Sequence, residues 1–198
     1  GPMSELGLSQ ETIDTAGTTL GVSGANEAKR VQKEYMQNHR LNIPTLLMAD
    51  IIHGFRTIFP IPLALGSTWD EAAVEKMAEI SAKEAAVSGL HVTFSPMVDL
   101  VRDPRWGRVM ESTGEDPLLN SRLAAAMVRG YQGENLKEDN WRVAACVKHF
   151  AAYGGALAGR DYNTVDMSER QLREMYLPGY KAGLDAGAKL VMTSFNTV

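Results

Sequence analysis

The chain has little cysteine, no excess of positive charge and no long apolar run, and each absence excludes a class of protein. Its single cysteine, Cys146, cannot form an internal disulfide. The formal net charge of −4 argues against a nucleic-acid groove or a polybasic membrane surface, because both need a cationic excess. No apolar stretch approaches the ~20 residues of a membrane-spanning helix. We therefore expect a globular protein with a neutral partner, and predict neither a cofactor nor a metal site.

Short apolar runs alternate with helical patterns along the 198 residues, of which 44% are hydrophobic. The pattern predicts strands at residues 18–22, 45–49, 92–94, 143–147 and 190–192. It predicts helices at about 26–38, between Asp70 and Gly89, at about 120–132, and after Ser168 with a kink or break at Pro178. A βαβ order of this kind implies right-handed crossovers and a parallel sheet.

The predicted fold class is therefore α/β, a partial TIM-type (β/α)8 barrel of about five parallel strands with alternating helices. Five strands do not close such a barrel, which typically needs about 250 residues. We expect the missing remainder of the protein, or a second chain, to complete it.

Polar side chains follow the predicted strands at the ends that a barrel uses for its active site. Asp50, Arg108, Lys148 and His149 lie at these exits, and Phe195 follows the last strand. Arginine, lysine and histidine donate hydrogen bonds, whereas a carboxylate accepts them, so the set can bind a ring of hydroxyl groups. The sequence thus predicts a sugar pocket.

Neighbouring residues allow several interpretations of this region. Arg56, six positions after Asp50, is predicted to brace the Asp50 carboxylate. Asp50 alone could instead cap a turn, and Asp50 with His53 has a metal-ligand spacing without an evident third ligand. Two further arginines, Arg102 and Arg105, are expected to stabilise the loop 102–108 by pairing with nearby acids. The candidate partners are Asp99, Asp103 or Glu111. Trp106 could either stack on a sugar or brace this loop.

Six motifs in the same order resemble the N-terminal barrel domain of glycoside hydrolase family 3, especially its bacterial periplasmic-type β-glucosidases. The resemblance runs from about Leu41 to Val198. The motifs are DIIHGFR at 50–56, SPMVD at 95–99, RDPRWGR at 102–108, GEDP at 114–117, KHF at 148–150 and MTSFN at 192–196. Each follows a predicted strand.

The resemblance implies a retaining hydrolase that removes terminal β-D-glucosyl residues through a covalent glycosyl-enzyme intermediate. It also implies non-proline cis peptides around the KHF segment. From the resemblance, a substrate-binding role is expected for six residues: Asp50, Arg56, Arg108, Lys148, His149 and Phe195. The family's nucleophile and acid/base residue are expected beyond Val198, so no catalytic residue is expected in this chain and it is expected to be inactive alone.

Several alternatives stay open. A family branch that removes N-acetylglucosamine has a His-Asp pair in the loop after KHF. Residues 151–160 contain no histidine, which favours the glucosidase interpretation over that branch. Xylosidase or arabinosidase specificity remains open, as does a non-catalytic carbohydrate-binding or scaffold module. A phosphate-binding loop at 154–159 is a weaker rival.

The expected partners are a β-glucoside or oligosaccharide substrate and the rest of the enzyme. Gly1-Pro2-Met3 resembles an expression scar, and residues 4–198 are interpreted as an incomplete family 3 N-terminal domain. The resemblance suggests a periplasmic or secreted protein, and a cytoplasmic one is not excluded.

Overall fold

One parallel sheet organises the fold. The computed structural model describes residues 7–22 and 24–198, so the interpretation of Gly1-Pro2-Met3 lies outside the described residues. The strands are Thr18–Leu20 (β1), Leu46–Ala49 (β2), Val92–Thr93 (β3), Ala144–Phe150 (β4) and Leu190–Thr193 (β5). They pair in chain order, and every pair is parallel. The predicted partial α/β barrel is confirmed.

The helices lie between the strands. They are Gln10–Thr15 (α1), Ala25–Asn38 (α2), Pro62–Thr68 (α3), Glu71–Val87 (α4), Pro117–Gln132 (α5), Glu169–Gln171 (α6) and Leu177–Asp185 (α7). A π-helical turn, Leu172–Tyr176, joins α6 to α7, and three short 3-10 helices lie at Val109–Glu111, Tyr153–Gly155 and Leu157–Gly159. The four predicted helical regions are found, whereas α1, α3 and the 3-10 helices were not predicted.

Side-chain caps explain where two of the predicted helices begin. The Asp70 carboxylate accepts a hydrogen bond from the Ala73 backbone N–H at 3.0 Å and starts α4, as predicted. Asp116 caps α5 in the same way, and Pro117 occupies its first turn. This cap places the start of α5 three residues before the predicted Asn120.

The last helical region is divided, as Pro178 predicted. The Ser168 hydroxyl accepts a hydrogen bond from the Gln171 N–H at 3.2 Å and caps α6. Pro178 lies in the first turn of α7, directly after the π-helical turn. Proline has no N–H to donate to the preceding turn, so the regular α-helical ladder cannot run through it.

Small residues allow α4 and α5 to pack closely over the sheet. Ala78, Ala82 and Ala85 of α4 are fully buried, as is Ala126 of α5. At Gly130 of α5, an added Cβ would lie 2.3 Å from the Glu75 carbonyl oxygen of α4 and 2.6 Å from the Ala78 Cβ. The two helices therefore meet backbone to backbone at this glycine.

We predict that Gly130→Ala destabilises the fold by about 1–3 kcal/mol, because overpacking outweighs the ~1 kcal/mol that alanine gains in a helix. Urea unfolding of the purified protein measures this. Gly17→Ala is the matched control, since nothing lies within 4 Å of a Cβ added there. Equal unfolding free energies for the two variants would contradict the close approach of α4 and α5.

Strand β4 is covered on both faces and carries the KHF motif in its last three residues. It extends to Phe150, three residues beyond the predicted end. Cys146 is buried here, and desolvation raises the pKa of its thiol to about 11. The Lys148-His149 and Phe150-Ala151 peptide bonds are cis, as the resemblance implied. No helix of the described residues is long and apolar enough to cross a bilayer.

Candidate active site

The end of β4 and the exit of β2 meet in an ion pair. The Lys148 ammonium donates to the Asp50 carboxylate at 2.9 Å. The Lys148 side chain is only 3% exposed, whereas that of Asp50 is 60% exposed. A buried ammonium is costly without a partner, so the pairing holds Lys148 in place while part of the Asp50 carboxylate stays open to a ligand.

A second carboxylate links this pair to the loop after β3. The Arg108 guanidinium donates to Glu111 from Nε at 2.7 Å and from Nη2 at 2.8 Å. Lys148 Nζ lies 3.5 Å from the same carboxylate. Burial raises the pKa of Glu111, but the Arg108 hydrogen bond and the nearby positive charges lower it more, so the net pKa is lowered. The Arg108 pKa is raised, chiefly by this hydrogen bond.

His149 is held from behind by Asp99, which is completely buried. His149 Nδ1 lies 2.7 Å from Asp99 Oδ2, and the His149 backbone N–H donates to the same oxygen at 3.2 Å. The Tyr180 hydroxyl lies between two acceptors, 3.0 Å from Asp99 Oδ1 and 2.7 Å from the His149 carbonyl oxygen, and burial raises the pKa of this hydroxyl. Because a carboxylate accepts hydrogen bonds, the imidazole carries a proton on Nδ1 and leaves Nε2 for a ligand.

Tyr153 joins these groups through aromatic contacts. Its ring meets His149 edge-on with centroids 5.2 Å apart, and the Arg108 guanidinium carbon lies 5.8 Å from its centre. Phe195, after β5, lies edge-on to the same ring at 6.5 Å. Five of the six predicted site residues thus form one connected cluster.

Trp106 braces the arginine loop. It is 2% exposed and its indole Nε1 donates to Asp161 at 3.0 Å, so it presents no face to a ligand. Its ring also packs edge-on against Tyr153 at 5.2 Å. The bracing interpretation of Trp106 is confirmed.

One predicted pairing is wrong. Asp50 is braced by Lys148 and not by Arg56, whose backbone N–H donates to Glu84 at 2.8 Å. Arg56 is exposed, and among the described residues no hydrogen bond or salt bridge joins its side chain to the cluster. Of the three acids offered as alternative partners for Arg102 and Arg105, Asp99 and Glu111 pair with His149 and Arg108. The physical reason is depth, since both acids face the buried end of β4 while Arg102 and Arg105 lie on the surface.

One surface pairing is confirmed. Arg105 donates to Asp103 from Nε and Nη2 at 2.9 and 2.6 Å. The hydrogen bond from Arg105 lowers the pKa of Asp103 to about 2. This exposed pair closes the turn of the RDPRWGR loop around its proline.

The glycines of the 154–159 loop serve packing. A Cβ at Gly154 would lie 2.2 Å from the Leu100 carbonyl oxygen, and one at Gly159 would lie 2.6 Å from the Trp106 backbone nitrogen. The loop forms two short 3-10 helices against the arginine loop. Its glycines are explained without a bound phosphate.

The contributions of Asp99, Tyr153 and Tyr180 to the cluster were not predicted from the sequence. Asp99 ends the SPMVD motif and follows the cis bond Ser95-Pro96, and a carboxylate this close to a buried strand needs hydrogen-bond donors. Tyr153 follows KHF by three residues and Tyr180 lies on the buried face of α7. No spacing rule connects Tyr180 to Asp99, 81 residues earlier.

The arrangement can bind but contains no pair of carboxylates poised for hydrolysis among the residues that the structure describes. Asp50, Glu111 and Asp99 are each held by a cation or a ring nitrogen. The cluster offers acceptor oxygens, an ammonium, a guanidinium and an imidazole on one rim of the sheet. Such an alternation of acceptors and donors suits a polyhydroxyl ligand.

Comparison with known proteins decides the family. The sequence model described as "Glycosyl hydrolase family 3 N terminal domain" matches residues 13–198. The chain belongs to glycosyl hydrolase family 3.

Relatives within family 3 are close. The chain is 46% identical over 182 residues to a periplasmic β-glucosidase of Salmonella typhimurium, covering 92% of this chain and 24% of the relative. It is 36% identical over 198 residues to a β-xylosidase of Formosa agariphila, covering 93% of this chain and 27% of the relative.

A solved structure is closer still. It is the Listeria innocua β-glucosidase in complex with glucose, which is 58% identical with a TM-score of 0.96, and the match covers 99% of this chain and 28% of that one. The chain therefore spans about a quarter of the length of the family 3 proteins that it matches.

Proposed function

We propose that this chain supplies the sugar-binding part of a retaining β-glucosidase that hydrolyses terminal non-reducing β-D-glucosyl residues. The observation that carries the proposal is the connected cluster of Asp50, Lys148, Arg108 and His149 at the carboxyl ends of neighbouring strands. The assigned substrate-binding residues are these four, with Phe195 contributing an apolar wall.

The chemistry of the cluster fits the hydroxyl groups of a glucose ring. A sugar hydroxyl both donates and accepts, and Asp50 offers a partly exposed acceptor beside the donor Lys148. Arg108 uses its Nε side for Glu111, which leaves the Nη1 end of the guanidinium for another acceptor. Donors held in place by carboxylates lose little entropy on binding, so they discriminate well among hydroxyl patterns.

The rest of the protein would supply the bond cleavage. Retaining glycosidases use one carboxylate as a nucleophile and a second as acid and base. Binding energy without these groups gives no turnover. The similarity to β-glucosidases of Salmonella typhimurium and Listeria innocua supports glucose as the terminal sugar, and the likeness to the Formosa agariphila β-xylosidase makes xylose the specificity to test against. Arg56 is assigned only to the outer wall of the sugar pocket.

Hydrolysis assays with matched aryl β-glucoside and aryl β-xyloside test the proposal. We predict that the full-length protein hydrolyses the glucoside with a kcat/KM at least about tenfold above that for the xyloside, because one lost hydroxymethyl contact is worth about 1–3 kcal/mol. The 198-residue chain alone is expected to hydrolyse neither. A full-length protein without activity on either substrate would favour a non-catalytic carbohydrate-binding module, and equal activity would contradict glucose specificity.

A further inference from the structure

Glu111 faces the guanidinium of Arg108 with both of its carboxylate oxygens. Oε1 accepts a hydrogen bond from Arg108 Nε at 2.7 Å, and Oε2 accepts one from Arg108 Nη2 at 2.8 Å. The side chains of Arg108 and Glu111 are 25% and 18% exposed, so the pair is partly shielded from water. Two parallel hydrogen bonds of this kind fix the plane of a guanidinium. Glu111 therefore sets the direction of Arg108 and presents little of itself to a ligand.

The local backbone explains why these two side chains meet. Arg108 immediately precedes the 3-10 helix Val109–Glu111, and the Glu111 N–H donates to the Arg108 carbonyl oxygen at 3.1 Å. A 3-10 helix has three residues per turn, so side chains three positions apart lie on the same face. The buried Ser112 hydroxyl donates to the Asp99 carbonyl oxygen at 2.7 Å and ties the end of this helix to the segment after β3. Glu111 is thus held on a short, anchored segment.

Lys148 does not depend on Glu111 for its main contact. Its ammonium lies 3.5 Å from Glu111 Oε2 but donates to Asp50 Oδ1 at the shorter distance of 2.9 Å. Both hydrogen bonds of the Glu111 carboxylate go to Arg108, so an effect of Glu111 on a bound sugar passes chiefly through Arg108. Because Glu111 takes Nε and Nη2, Nη1 is the end of the guanidinium left for a sugar oxygen.

We propose that Glu111 is a positioning residue that acts through Arg108: its carboxylate aims the Nη1 end of the guanidinium at a hydroxyl group of the terminal sugar. This inference rests on the proposed function. A long arginine side chain has many rotamers, and fixing one of them when the sugar binds would weaken binding. Glu111 fixes the rotamer when the protein folds, so the sugar meets a guanidinium that is already in place.

Glu111→Gln in the full-length protein tests the proposal, because the glutamine amide keeps the shape but offers one acceptor to the two donors of the guanidinium. We expect the Kd for glucose, measured by isothermal titration, to rise about tenfold, which corresponds to about 1.4 kcal/mol. With an aryl β-glucoside, KM should rise about as much while kcat stays within about threefold, since binding is lost and the reacting groups are untouched. A merely structural role would lower the apparent kcat through unfolded protein and leave KM unchanged, which would overturn the proposal.

Glu111→Asp is a second variant for the case that Glu111→Gln folds poorly. It keeps the charge, but the shorter side chain cannot reach both donors of Arg108, so KM should again rise. Asp103→Asn is the matched control, because Asp103 lies in the preceding loop and accepts from Arg105 Nε at 2.9 Å and Nη2 at 2.6 Å. It loses the same kind of pairing from an arginine outside the cluster, so its glucose Kd and KM should stay within about twofold of wild type. A tenfold loss in this control would also overturn the proposal.

A double-mutant cycle with Arg108→Met identifies the route of the effect. Adding Glu111→Gln to Arg108→Met should change the glucose Kd by less than about twofold, because no guanidinium remains to be aimed. Effects that multiply in the double variant would overturn the positioning role, as would a Glu111→Gln protein with wild-type Kd and KM. In those cases, hydrolysis of the aryl β-glucoside by the wild-type protein leaves the proposed function standing. A wild-type protein that neither binds glucose nor hydrolyses the glucoside would defeat the proposed function, and this inference with it.

Discussion

Asp50→Ala in the full-length protein should weaken binding of a glucose-like inhibitor by about 2–3 kcal/mol, or roughly 30- to 150-fold in Kd. The substitution removes an acceptor for sugar hydroxyls. It also leaves the Lys148 ammonium, whose side chain is 3% exposed, without its 2.9 Å partner. Isothermal titration measures the change in Kd, and steady-state kinetics should show kcat/KM falling by at least as much.

The control for this variant is Asp14→Ala. Asp14 is a half-buried carboxylate in α1, the helix that precedes β1, and it accepts a hydrogen bond from Gln10. The Asp14→Ala protein should bind the inhibitor as wild type does. An Asp50→Ala protein with unchanged Kd and unchanged kcat/KM would contradict the assignment of Asp50 to the sugar.

The largest effect on stability is expected for Asp99→Ala. Its carboxylate, which is completely buried, accepts hydrogen bonds from the His149 N–H and the His149 ring, and the Tyr180 hydroxyl lies 3.0 Å from it. Each buried donor left unsatisfied costs about 1–3 kcal/mol, so loss of the acceptor for the two His149 donors gives about 2–5 kcal/mol. The Tyr180 hydroxyl keeps the His149 carbonyl oxygen, 2.7 Å away, as its acceptor. Urea unfolding of the full-length protein, followed by the fluorescence of its tryptophans, measures the loss in this domain.

Tyr180→Phe separates stability from positioning. It removes the hydroxyl shared by Asp99 and the His149 carbonyl oxygen and should cost only about 1–2 kcal/mol, while the contact between His149 Nδ1 and Asp99 remains. Its kcat/KM should stay close to wild type, whereas any folded Asp99→Ala protein should lose glucoside affinity because its imidazole is no longer oriented. Comparable stability for Asp99→Ala and wild type would show that the carboxylate does not support His149.

The sequence predicts the sheet well because its signals are local. The apolar runs at 45–49 and 143–147 fall on β2 and β4, and the caps Asp70 and Ser168 start helices as expected. Helix α3 was missed because Pro62–Thr68 is short and holds no charged residue, so no amphipathic period marks it. β4 runs to Phe150 because its polar end is buried by tertiary partners that the local sequence does not show.

Within the site, the positions were predictable and the pairings were not. Motif order placed Asp50, Arg108, Lys148 and His149 at strand ends, and the structure brings them together. Proximity in sequence favoured Arg56 as the brace for Asp50, but Lys148 lies 98 residues away and takes that place. Pairing depends on how deeply each charge is buried, which the spacing of residues along the chain does not reveal.

A crystal structure of the full-length protein with glucose bound is the most direct test of the central claim. We predict that the hydroxyl groups of one glucose ring lie within hydrogen-bond distance of Asp50, Arg108, Lys148 and His149, with the Lys148–Asp50 and Arg108–Glu111 pairs retained. Glucose bound elsewhere, or these four side chains contacting no part of it, would contradict the account.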